Sequence, residues 1–228
     1  GIARIDAVDD RRINGEDTGR LRMQVDAAGR RRPRLDAGDD QAFGQPRRGL
    51  AMVDAVVSGS SGVAAARFLI RRAHGLWLLG RYPAMLDDAR RAVRLLRDTN
   101  ELIWLARAYN HRAMAHIGMG AIELADADYA RCETLYAHTG QLVELAVARQ
   151  ERGAAAFARG DLPTALGHYA DALRRFDKLS VFEPELHVNK CAVLLAAGLP
   201  REALAEADGA VTRIEQLRGS ATRRAELL

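Results

Sequence analysis

The sequence predicts an all-α fold built as a stack of antiparallel helix pairs, and three observations predict it. Turn-forming steps recur: "GRYPAM" at Gly80, "GAIELA" at Gly120, "GDLPTA" at Gly160 and "GLPREA" at Gly198, at intervals of 40, 40 and 38 residues. Small residues keep a fixed distance from them, with Ala73, Ala113, Gly153 and Cys191 seven before each glycine and Ala92, Cys132, Ala172 and Ala210 twelve after it. Aromatics make up only 5% of the chain, so the core is built from Ala, Leu and Val, which suits close helix packing better than a bulky sheet interior.

In chain order, residues 1–48 differ from the rest. They hold many Arg, Asp and Gly, few large apolar side chains and no sustained period, a composition that buries too little surface to offset chain entropy, so a poorly structured tail is expected. Residues 49–62 read as a short helix, "GLAMVDAVV", and a linker, "SGSSG". Residues 63–228 read as the repeat domain of about four repeats of about 40 residues. In each pair the glycine closes the first helix, because the chain reversal needs a left-handed residue, and Pro83, Pro163 and Pro200 stand where a second helix begins. Small residues at the crossings let helices approach closely, while Trp77, Ile117, Phe157 and Leu195, with Tyr129 and Tyr169, fill the remaining volume. The first repeat departs from the pattern at Met85 and Ala89. At the end, "ATRRAELL" reads as the start of a fifth first helix, so the domain is expected to be truncated there. An open end without a polar cap admits a homodimer or a missing domain.

Helix pairs with a small residue in the first helix, a turn glycine and A-x-x-x-[YF]-x-x-A in the second resemble tetratricopeptide (TPR) repeats; "ALGHYADA", with Ala165, Tyr169 and Ala172, is the best match. The basic period of that family is about 34 residues, so the extra residues lengthen helices around "RDTNEL", "AHTGQL" and "KLSVFEPEL". Ala158 to Val211 is similar, more narrowly, to the TPR region upstream of caspase-like CHAT domains in high-GC bacteria, most closely at "GDLPTAL" and "CAVLLAAGLPREALAEAD"; the likeness extends more loosely from about Phe68 to the C-terminus. The resemblance implies a right-handed superhelix whose first helices line a concave groove. It also implies a non-enzymatic protein-protein interaction module, the recognition or regulatory region of a CHAT-type protease effector. In that family the protease His and Cys belong to a following domain, so no catalytic residue carries over to this chain. The alternative is a peptide-sensing, ligand-gated regulatory domain.

Charge and chemistry narrow the function classes. Net charge is +4, with 34 basic and 30 acidic residues interspersed, the pattern of a solvated surface rather than a nucleic-acid interface. "GRRRPR" is followed at once by "DAGDD", which cancels most of its local charge. No apolar leader or membrane-length run occurs, and with two cysteines only, a cytoplasmic protein with no membrane partner is expected. Cys132 and Cys191 fall in small-residue packing slots, which marks them as inert core thiols. His111 and His116 are five apart, about 140° around a helix, which does not suit shared metal ligation. The acidic stretch around Glu123, Asp126 and Asp128 lacks the glycine and terminal Glu of a calcium loop and reads as a solvated helix face. No phosphate-binding loop, dinucleotide fingerprint or nucleophile elbow is present, so neither catalytic residues, nor metal, nor cofactor is expected.

What remains is the groove. The resemblance places first-helix polar residues two or three turns before each glycine on its floor: Arg67, Arg71 and His74; Arg107, Asn110 and His111; Gln150 and Glu151; Glu185 and Asn189. Arginines at one end and amide side chains along the row suit an acidic or extended peptide as partner.

Overall fold

The computed structural model describes residues 59–225, with side chains to 217, together with the backbone of two short strands, β1 (Met23–Val25) and β2 (Arg31–Pro33). The strands pair antiparallel with Gln24 opposite Arg32, a ladder that no apolar and polar alternation announces. The rest of the expected tail, 1–48, and the short helix expected within 49–57 lie outside the described residues.

From residue 62 onward the described chain is helical. The helices are α1 (Gly62–Leu78), α2 (Tyr82–Leu96), α3 (Leu102–Gly118), α4 (Ile122–Thr139), α5 (Leu142–Ala158), α6 (Leu162–Lys178), α7 (Pro184–Ala196) and α8 (Pro200–Ala225). They pack as four consecutive pairs, α1 with α2 through α7 with α8. Each second helix then meets the first helix of the next pair. First helices also touch one another, α1 on α3 and α5 on α7, whereas second helices meet each other only marginally. The first helices therefore form the inner layer of an α-solenoid and the second helices the outer one.

The turns follow from backbone geometry. Gly80 and Gly160 have φ of 66° and 79°, and no atom lies within 4 Å of where a Cβ would stand. The left-handed angle, not crowding, requires glycine there. The next N–H turns back onto the first helix, Arg81 N to Leu76 O at 2.8 Å and Asp161 N to Ala156 O at 3.0 Å, which satisfies carbonyls that the helix end leaves open. Pro83 and Pro163 lie in the first turns of α2 and α6, and Pro200 opens α8.

Packing explains the small residues. Ala73 and Ala113 are fully buried, and a Cβ on Gly153 would come within 2.7 Å of the Tyr169 ring. Tyr129 and Tyr169, nine after their glycines, fill the second and third pairs beside the small Ala125 and Ala165. In the first pair the sizes are exchanged: Met85 takes the slot of Ala125, and Ala89 that of Tyr129, both fully buried. The departure seen in the first repeat is thus a swap that keeps the volume of the layer.

At the other end, α8 runs unbroken through Gly219 to Ala225, so the fifth first helix expected at "ATRRAELL" does not begin within the described residues. Gly219 has no proline after it to stop the helix. Leu204 and Val211 stand where Leu86 and Val93 stand in the first pair. The latter are 5% and 7% exposed beneath α3, and the former are 63% and 54% exposed. The last pair presents to solvent the face that a following pair would cover.

Candidate functional site

In the N-terminal half of the inner layer, polar side chains gather beside Trp104 and Trp77. Arg67 on α1 and Arg107 on α3 occupy the same slot one repeat apart, thirteen before Gly80 and Gly120. Both guanidinium groups lie over the Trp104 ring, at 4.9 and 4.8 Å from its centroid. Arg67 Nη2 also donates to Glu101 Oε2 at 3.0 Å. One turn to three turns further along, His74 stacks near Trp77 at 5.6 Å, and its ring meets His111 edge-on at 6.1 Å.

His111 is held by its own helix. The Arg107 carbonyl can only accept, so His111 Nδ1 carries the proton and donates to it at 2.9 Å, leaving Nε2 buried without a partner. Burial pushes its pKa down to about 4, with His74 and Arg107 adding repulsion, so the ring is neutral at pH 7. Asn110 Nδ2 points to Met114 Sδ at 3.7 Å, and Arg71 stands exposed on α1. Six of the ten expected groove residues, Arg67, Arg71, His74, Arg107, Asn110 and His111, therefore lie on α1 and α3, which touch. The other four lie further along the layer. Gln150 on α5 is only 8% exposed and faces the packing, Glu151 and Asn189 are half-buried, and Glu185 is exposed on α7.

Sequence reasoning missed Trp104 and the cavity beside it. About 300 Å³ of space opens at the rim between the α2–α3 and α4–α5 turns, bounded by Asn100, Glu101, Trp104, Arg107, Thr139 and Gln141. The available signal was a tryptophan three residues before an arginine on one helix face, in a chain with two tryptophans.

A second set of polar residues was misread. The stretch around Asp126 and Asp128 is not a solvated face: Asp128 is 2% exposed, and Arg112 grips both its oxygens at 2.7 and 2.6 Å, with Arg131 adding 2.7 Å. Arg112 stands eight before its glycine and Asp128 eight after. The same slots hold Arg72 and Asp88, joined at 2.6 and 2.5 Å, and Lys190 and Glu206, joined at 2.5 Å with His187 at 2.6 Å on the other oxygen. In the third pair the slots hold Arg152 and His168, and Arg152 turns instead to the preceding pair, meeting Asp126 at 2.7 Å and Glu133 at 3.2 Å on α4. Arg149 joins the same network, near Glu133, Asp171 and His168. The register of the repeat carried this signal: a cation and an acid sixteen residues apart, three times in four.

The thiols are packing groups. Cys132 Sγ donates to Ala106 O at 3.3 Å and Cys191 Sγ to Ala203 O at 3.4 Å, and burial raises the pKa of both, so neither is a thiolate at neutral pH. Among the described residues no helix is long and apolar enough to cross a membrane.

The architecture has solved counterparts. The chain is similar to the apo form of RapI, with a TM-score of 0.70 at 14% identity over 81% of this chain and 71% of that one. It is also similar to MamA, with a TM-score of 0.62 at 16% identity over 82% and 99% of the two chains. A third likeness is to a Podosopora anserina putative kinesin light chain with nearly identical TPR-like repeats, with a TM-score of 0.63 at 14% identity over 78% and 92%. These likenesses define the class by fold, an α-solenoid of TPR-like helix pairs. No family model matches the chain, and no curated protein matches it in sequence.

Proposed function

We propose that this chain is a non-enzymatic interaction module that binds a peptide or protein segment along its inner layer. The observation that carries the reading is the cluster of Arg67, Trp104 and Arg107, where one indole holds two cations at the surface of an otherwise alanine-rich stack. Such a surface needs little reordering to bind, so many modest contacts add up. Arg71, His74, Asn110 and His111 extend it, and Glu151, Glu185 and Asn189 supply its far end. In the finer form of the proposal, the module is the recognition region of an effector that also carries a CHAT-type protease, a reading that rests on the likeness of Ala158 to Val211 to that class.

Site-specific photo-crosslinking in the full chain tests the inner layer. A crosslinker at Arg71 or Glu151 is expected to trap the same host protein. One at Arg94, on the exposed side of α2, is expected to trap none. Equal trapping from Arg94 overturns the reading.

One observation favours a second reading, the peptide-sensing regulator. α6 meets α7 over far less surface than α2 meets α3 or α4 meets α5. A ligand bridging the inner layer across that junction would change the angle of the last pair. The expected sign is a change in scattering radius on adding the trapped partner's peptide. An unchanged radius at saturation removes this reading and leaves the first intact.

A further inference from the structure

We propose that the open face of the last pair is a dimer interface, on which α8 packs antiparallel against α8 of a second copy of this chain. The inference is independent of the inner-layer reading, because this face lies at the end of the stack. Area comes first. Val188 stands ten before its glycine, the slot of Ile70 in the first pair and Gln150 in the third, which are 3% and 8% exposed, whereas Val188 is 67% exposed. With Leu195, Leu199, Leu204 and Val211 it leaves on the order of 500 Å² of apolar surface to water, near the upper end of what a soluble monomer keeps and over half of what each partner buries in a standard interface. The shape of the molecule comes second. Among the described residues no large apolar side chain is exposed on α1 or α2, so the opposite end of the stack has no matching patch. Head-to-tail stacking would lay the face on an end without one, whereas two copies of the face cover each other and close the assembly.

Charge comes third, and it selects a second copy as the occupant. Leu204 and Val211 are seven residues apart on α8, so an antiparallel partner sets Leu204 of each copy against Val211 of the other. Arg201, Asp208 and Glu215, all exposed, follow one another at the same spacing along one side of that row. In this pairing Arg201 of each copy meets Glu215 of the other, twice per dimer, and the two Asp208 side chains meet near the dyad. A row with opposite charges at its two ends is complementary to its own reverse. On α7, His187 bonds Glu206 of α8 at 2.6 Å, which sets the adjacent Val188 close to level with the middle of the row, so the two Val188 side chains also meet near the dyad.

Sedimentation equilibrium of the full chain, from about 1 to about 100 µM, tests the proposal. The expected result is monomer and dimer in exchange and nothing larger. Leu204→Asp together with Val211→Asp, both exposed in the monomer and so compatible with folding, should weaken the dimer by more than about a hundredfold, since each change counts twice across the dyad. Arg201→Glu should weaken it by about tenfold, and adding Glu215→Arg should restore it. Asp208→Asn should tighten it by about threefold, because it removes the like-charge contact at the dyad. Misfolding produces neither a rescue nor a gain, so these two variants keep the test decisive. A chain that stays monomeric throughout overturns the proposal and leaves the face to a different partner. An open series of larger oligomers overturns it in favour of head-to-tail stacking. A dimer that the two aspartates leave intact places the contact elsewhere, and one that Glu215→Arg fails to rescue, or that Asp208→Asn weakens, overturns the antiparallel pairing.

Discussion

The second and third helix pairs share a register, yet the same cation slot serves opposite ends in them. Arg112 closes on Asp128 inside its own pair, with the acid 2% exposed. Arg152, forty residues on, finds His168 in place of the acid and reaches across to Asp126 and Glu133 in the pair before it. Histidine is no substitute for the acid, because burial and the nearby Arg152 and Arg149 push its pKa down and keep the ring neutral. One residue at the acid slot thus decides whether an arginine binds a pair together or joins two pairs. The lesson is that repeat position fixes where a side chain starts, and local charge decides where it ends.

The sharpest way to break that comparison is to remove the acid in each pair. Asp128→Ala strands Arg112 half-buried without its bidentate partner, and the expected loss is about 3–5 kcal/mol in denaturant unfolding. His168→Ala, at the same slot, should cost about 1 kcal/mol or less, because Asp126 and Glu133 already hold Arg152. Equal losses would show that the two slots are energetically alike and would end the contrast.

The ninth position before the glycine gives a second, pH-dependent contrast, His111 in the second pair against Glu151 in the third. His111 has a folded pKa of about 4 and an ordinary value of 6.5 when unfolded, so the unfolded chain takes up the proton first on acidification. Its contribution to stability is complete above about pH 6.5 and is lost as pH falls toward 4, amounting to about 2 kcal/mol at pH 5. His116 and His168 are lowered as well and steepen the fall in the same window. His111→Gln is expected to flatten the Tm profile between pH 6.5 and 5, and a profile as steep as that of the parent would assign the acid sensitivity to the other two.

A smaller effect distinguishes the packing slots. Gly153→Ala gains about 1 kcal/mol of helix propensity but drives a methyl into the fully buried Tyr169 ring, which costs about 1–3 kcal/mol. The net expectation is a loss of about 1 kcal/mol. Ala113→Gly in the second pair loses both propensity and a buried methyl and should cost about 2 kcal/mol, although the change runs the other way in size. A Gly153→Ala variant that is more stable than the parent would mean that the third pair has room to relax.

Much of this is legible in the sequence. The turn glycines, their prolines and the small-residue rows follow from local backbone and volume rules, and they located all four pairs. The exchange at Met85 and Ala89 was visible as a departure but not as a compensation, because only packing shows that one slot's gain is the other's loss. Asp126 and Asp128 were misread because a charge on a helix looks solvated until the partner sixteen or twenty-six residues away is known. Arg67 and Arg107 share one slot of the repeat, and both lie over one indole. Trp104, which joins them, was missed because tryptophan reads as core in an apolar helix. Gln150 shows the reverse error, a polar residue at a groove position that the packing covers.

The two junctions on either side of the third pair give the last test. Where α4 ends, Gly140 takes the left-handed conformation at φ 72°, and Gln141 N bonds back to Tyr136 O at 2.9 Å. Forty residues later the same motif recurs, with Val181 N on Phe176 O at 2.9 Å, but Ser180 occupies the glycine position at φ 56°. A Cβ in that region is pressed against the backbone, while glycine would give back part of the gain as chain entropy in the unfolded state. Ser180→Gly is therefore expected to stabilise the chain by about 1 kcal/mol, and Gly140→Ser to destabilise it by a similar amount, both read from denaturant midpoints. Because α6 and α7 meet over so little surface, the turn supplies a larger share of what orients the last pair than Gly140 does for α4 and α5. Ser180→Gly should then also slow hydrogen exchange in α7 more than in α5. Equal protection in both helices would mean that the last pair is held by its own packing on α8 rather than by the turn.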